Sequence, residues 1–246
     1  MCRFASGILG KLDVYSRQDL HSHTAIMEAF GITDDALNPN FVKYEIVPTG
    51  ENLMDMEKWE FRLDQDKLPG WFNSVQDEHR ARLNLAKLFP QGFPLTINVS
   101  GSLDLSSVTA LPEGFAPQVG VSLNLSSVAA LPEGFAPKVS GNLYLSSVTA
   151  LPEGFSPKLG GSLDLGSVTA LPKGFAPQVG GYLNLRSVTG LPKGFSPKVG
   201  DSLNLSSVAA LPEGFAPKVG GYLHLDSYKG PVPAGVKVGR QVLMKP

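Results

Sequence analysis

The chain has 246 residues, a formal net charge of −1 and a pI near 6.4, with its lysines and arginines spread one or two to a segment. No basic stripe is visible along it, which sets a nucleic-acid binder aside, and Asp and Glu are too thin for the dense acidic face of a DNA mimic. The single cysteine, Cys2, excludes an internal disulfide framework and argues against a cysteine-based zinc site, and the absence of a long apolar run or of a basic-then-apolar leader predicts a cytoplasmic protein with no membrane contact.

Residues 1–73 are non-repetitive and read as a small α+β head. Phe4 to Leu9 and Leu12 to Tyr15 suit a hairpin around Gly10-Lys11. Ser22 is a good helix N-cap before His23 to Phe30, and Gly31 a good stop. Phe41 to Val47 and Trp59 to Leu63 alternate and carry aromatics, as strands do. The expectation is four strands and one helix, with Trp59, Trp71 and Phe72 in the core.

Residues 74–100 read as a capping helix and a partial first coil. Val75, His79, Leu83, Ala86 and Phe89 fall near one helical face, with Arg80, Arg82 and Lys87 elsewhere. Leu83-Asn84-Leu85 also stands 20 residues before Leu103, so a degenerate coil competes with the helix. Ile97 and Val99 lead into the first clear repeat.

From 101 to 227 the chain repeats every 20 residues without insertion, and Leu103, Leu123, Leu143, Leu163, Leu183, Leu203 and Leu223 mark the period. A fixed period of this length predicts a solenoid of stacked coils, none of which closes a core alone. Leu103-Asp104-Leu105 alternates as a short strand with both leucines inward. Val108, Leu111, Phe115 and Val119 complete six inward positions per coil, with Pro112 and Gly114 turning the chain. Seven such strands at the parallel spacing give a sheet about 29 Å long. Residues 228–246 read as a cap: Val238-Gly239 restores the pattern, Val242-Leu243-Met244 supplies an eighth strand, and Lys245-Pro246 blunts the edge.

The segments Leu163-Asp164-Leu165, Leu171-Pro172-Lys173-Gly174 and Val179-Gly180-Gly181 resemble short leucine-rich repeats of bacterial and phage type. The bracing Asn-x-Leu of that family is replaced here by Ser-Ser-Val. With two prolines per coil, this points to a squat β-solenoid in place of a horseshoe with helical backs. The Ser22-His23-Thr24, Glu45-Ile46-Val47-Pro48 and Pro69-Gly70-Trp71-Phe72 segments of the head resemble leaders of uncharacterised phage proteins. That resemblance implies no activity.

Candidate chemistry sits mainly in the head. Met1-Cys2-Arg3-Phe4 superficially resembles the start of class II glutamine amidotransferases, whose nucleophile is an N-terminal cysteine. About 90 non-repeat residues are too few for that layered fold, and Cys2 reads as a small residue opening a strand. His21 and His23 flank Ser22 and, with Asp19 or Glu28, suggest a metal site, but histidines at i and i+2 seldom face one ligand.

The repeats present a different case, because inward positions hardly vary between copies while three outward columns on the strand face do. These columns contain Asp104, Asn124, Tyr144, Asp164, Tyr182, Asn184, Arg186, Asn204, Tyr222 and His224. Packing does not require the tyrosines, the histidine or Arg186, and Tyr and Arg are common interface anchors. The expected function is therefore non-enzymatic binding of a protein partner on this face, without cofactor, metal or nucleic acid, in a phage or host-interaction setting. The alternative is a small-ligand binder or hydrolase-type enzyme on the head, using Cys2, His21, His23 or His79. Without threonine arrays, an ice-binding face is not expected.

Overall fold

The computed structural model describes residues 6–16, 23–33, 40–48, 56–88 and 95–245. The head is an antiparallel sheet of β1 (Ser6–Gly10), β2 (Val14–Tyr15), β3 (Phe41–Val47) and β4 (Glu60–Leu63), in the order β2-β1-β3-β4. Alternation along β1 and β3 divides the side chains between two layers. Ile8 and Phe41 pack with Ile26 and Met27 of helix α1 (His23–Phe30). Leu9, Val42, Tyr44 and Ile46 face the other way, joining Trp59 and the core that continues into the solenoid. Gly31 closes α1 at a φ of 66°, a left-handed conformation that suits glycine. The hairpin, the helix and both long strands stand where the sequence predicts. Cys2, Phe4, His21 and Ser22 lie outside the described residues.

Helix α2 (Ser74–Leu88) exists, so the degenerate-coil reading of Leu83-Asn84-Leu85 is set aside, but the helix buries a different face from the one predicted. Val75 and Leu83 are 78% and 50% exposed, while Asp77, Ala81 and Leu85 are buried. The reason is polar docking. Asn73 caps the helix by accepting the Gln76 N–H, and its own N–H donates to Asp77. Asp77 pairs with Arg80, which reaches the carbonyls of Gly10 and Asp13. Arg82 donates to the carbonyl of Trp59. Two arginines bound to head carbonyls, together with the buried Ala81 and Leu85, set the face that α2 turns inward.

Residues 95–245 form a parallel β-solenoid of about seven turns with no helix in any repeat. Each coil has two short strands. The front strands run from Leu103–Asp104 to Val242–Leu243 and make one eight-stranded parallel sheet in register, Leu on Leu as far as Leu223, which pairs with Val242. The predicted terminal strand is its last member. The back strands begin at Asn98–Val99 and Gln118–Val119 and end at Lys237–Val238. They form a second parallel surface that the sequence reading does not distinguish. A third side is held by single bonds, such as Thr169 N–H to the Thr149 carbonyl.

Two turns shape each coil. The first is closed by the Val108 N–H on the Leu105 carbonyl. The second, Pro112-Glu113-Gly114-Phe115, is closed by the Phe115 N–H on Pro112 and needs a positive φ at its third residue, where Gly114 has 76°. That requirement explains why glycine recurs at this position through Gly214.

Inside, the leucine, valine and phenylalanine columns are buried, and successive phenylalanines from Phe135 to Phe215 stack with ring centroids 6.2 to 6.5 Å apart. The Leu111 column is only half-buried, because it borders the turn. Pro117, Pro157, Pro177, Pro197 and Pro217 are buried instead, each just before a back strand. The carbonyl of each accepts an N–H from the next coil. Pro137 is only half-buried, and it stands at an interruption of the ladder between Lys138–Val139 and Lys158–Leu159.

Candidate functional site

The front face carries the residues that sequence reasoning selected, and most of them have a structural task. In the column between the leucines, the Asp104, Asn124, Asp164, Asn184 and Asn204 Oδ1 atoms each accept the N–H two residues on, at 3.0 to 3.3 Å. This is the Asx turn, which substitutes a side chain for a backbone acceptor at a bend. It supplies the brace expected from an Asn-x-Leu step, placed two residues earlier than Ser-Ser-Val. The Asp/Asn variation there therefore reflects two side chains able to do one job.

The column before the first leucine is knitted between coils. Ser162 Oγ accepts the Tyr182 N–H at 2.9 Å, Ser202 Oγ accepts the Tyr222 N–H at 3.1 Å, and Asn142 bridges Ser122 and Ser162. Ser202 is buried by this arrangement.

Tyr144, Tyr182, Arg186, Tyr222 and His224 remain, and their side chains carry no Asx or serine bracing bond. Tyr144 replaces an Asx residue and is 37% exposed. Arg186 extends over Gly166, where an added Cβ would lie 3.3 Å from the Arg186 Nε, so the missing serine of that coil makes room for the guanidinium. The Arg240 guanidinium lies over the Tyr222 ring at 5.3 Å, and its hydrogen bond with Tyr222 holds its pKa above the ordinary arginine value. Four of the five selected residues without a bracing role thus belong to two coils in the C-terminal half, with Asn204 of the intervening coil between them.

In the head, His23 is joined by partners distant in sequence. Its Nε2–H donates to the Tyr44 carbonyl at 2.9 Å and its Nδ1 faces Asp64 at 3.0 Å. With the buried Glu45, these residues bring three potential metal-ligand atoms within 4.8 Å of one another, the one such group among the described residues. Both imidazole nitrogens are engaged by protein atoms, so the cluster ties α1 to β3 and to the segment after β4. His79 is exposed on the outer face of α2.

Sequence reasoning missed the back face. Lysines that look thinly spread along the chain are gathered by the period into one column: Lys138, Lys158, Lys198, Lys218 and Lys237, with Gln118 and Gln178 in the same column. All seven side chains are exposed. The signal was a constant basic or amide residue directly before the inward Val or Leu of each back strand.

The fold and its faces define a parallel β-solenoid with an N-terminal strand-rich head. Comparison with known protein families, curated proteins and solved structures finds no match to this chain. No helix among the described residues is long and apolar enough to cross a membrane.

Proposed function

We propose that the chain is a non-enzymatic binding module that engages a protein partner through the C-terminal half of its front face. One observation carries this reading. On a face whose Asx and serine columns are occupied by internal bonds, Tyr182, Arg186, Tyr222 and His224 stand together without such a task. Tyrosine and arginine supply large contact area with a polar tip, and a stacked sheet presents them without an ordering cost at binding. The resemblance to short leucine-rich repeats and phage leaders favours a phage or host-interaction setting.

The test is a photo-crosslinking residue placed at Tyr182 or Tyr222 in the cell of origin, with the same residue at Gln118 as control. A discrete protein adduct at the front positions, lost when Arg186 is changed to Ala, supports the proposal. Equal labelling at all three positions would dismiss the front face.

A further inference from the structure

We propose that the back sheet is a second binding surface, for the phosphate backbone of double-stranded nucleic acid, read without regard to base sequence. It goes beyond the front-face reading and does not depend on it. No basic stripe runs along the sequence, but folding creates one in space. Lys158, Gln178, Lys198, Lys218 and Lys237 pair in register across parallel strands, and Lys138 extends the row beyond the interruption. From Lys138 to Lys237 the row spans five strand spacings, roughly 24 Å. At 3.4 Å per nucleotide on each strand, that matches about seven base pairs.

Among the described residues, none of the five lysines pairs with a carboxylate. Like charges directly opposite on neighbouring strands disfavour the fold, so the row holds uncompensated positive potential that an anionic partner would relieve. The surroundings leave the approach open. The flanking outward positions are small: Ala136, Ser156, Ala176 and Ser196 on one side, and Gly160, Gly180, Gly200 and Gly220 on the other. A shallow groove runs along the five-stranded part of this face, from Lys158 to Gly239.

The partner's class follows from what the face lacks as much as from what it has. Among its described residues it presents no aromatic side chain to stack an unpaired base and no arginine fork to read a base edge, so single strands and specific sites are disfavoured. Protein interfaces deplete lysine at their centres, and an acidic protein would need a matching file of carboxylates. An anionic bilayer is an extended plane that favours a broad basic surface, whereas this row is one residue wide, and the exposed turns five residues before it carry Glu133, Glu153 and Glu213 beside Lys173 and Lys193, adding no net positive charge. A cylinder lying along the row matches its width.

The test is fluorescence anisotropy of the full chain with a labelled 30-base-pair DNA duplex between 25 and 200 mM salt. The column itself supplies a conservative variant, because Gln118 and Gln178 already occupy it: K198Q/K218Q/K237Q should keep the fold. The expected result is salt-dependent binding whose log–log slope is about −4 to −5 and falls by about 3 in the variant, with at least tenfold weaker binding at 50 mM salt. Absence of duplex binding at 25 mM salt, or unchanged binding by the variant, overturns the proposal. So does tighter capture by phosphatidylserine vesicles or polyglutamate than by the duplex, since either would assign the row to another polyanion.

Discussion

The Gly160 N–H donates to the carbonyl of Ser140 at 2.8 Å, whereas the glycines one and two coils later reach the apolar residue before the equivalent position, Gly180 on Leu159 and Gly200 on Val179. At Gly180 and Gly200 an added Cβ would lie 2.1 Å from the carbonyl oxygen of the preceding coil. Ser140 puts a Cβ in this column. The back surface divides directly after that coil into sheets of three and five strands.

Replacing Ser140 with Gly should therefore join the two back sheets. Gly160 would exchange one acceptor for another and Lys158 would gain one bond worth about 1 kcal/mol, against about 0.5–1 kcal/mol for glycine's freedom when unfolded, so the net change in stability is within about 0.5 kcal/mol. Slower hydrogen exchange at the Lys158 amide would report the repaired ladder. The reverse change, Gly180→Ala, should cost about 1–3 kcal/mol, because the obstacle is backbone.

Asp164 should behave as a turn residue before it behaves as a contact. Asp164→Ala should destabilise by about 1 kcal/mol while Asp164→Asn is near neutral, since Asn124, Asn184 and Asn204 make the same bond. Thermal melts of the two variants separate the roles.

Much of the architecture is legible in the residues because the period leaves register no freedom. Once Leu103 stacks on Leu123, Phe115 must stack on Phe135 and Val242 must follow Leu223. The helix face of α2 was not legible, because Arg80 and Arg82 dock it on carbonyls that carry no sequence signature. Nor was the lysine row, whose members are 19, 20 or 40 residues apart and adjacent only after coiling. In the front-face columns the residue letters hide something else: Asp and Asn share one acceptor atom that braces the turn, which only the coordinates display.

Phe175 lies between Phe155 and Phe195 in the stacked column. Phe175→Ala should cost about 3–5 kcal/mol and open a cavity facing both neighbours. Because each coil relies on the next, hydrogen exchange should accelerate over several coils and not in one alone.

In the head, burial pushes the Tyr44 phenol up to about 12, partly offset by hydrogen bonds with Asn84 and Ser16 and by the nearby Arg80 charge. The folded state thus holds this proton more tightly than the unfolded chain, whose tyrosines titrate near 10. The stability tied to it is complete below pH 10 and declines as pH rises from about 10 to 12, by about 2–3 kcal/mol. Tyr44→Phe should remove that share of the alkaline destabilisation, measured as the difference between the two proteins' unfolding midpoints across the range.

Spin-label distances along the exposed turn column test the stacking most directly. With Cys2 replaced by Ser and labels at positions 133 and 213, then 113 and 213, the stack predicts narrow distributions near 19 and 24 Å, one strand spacing of about 4.8 Å for each added coil. Broad distributions, or a separation that does not grow by one such step, would contradict it.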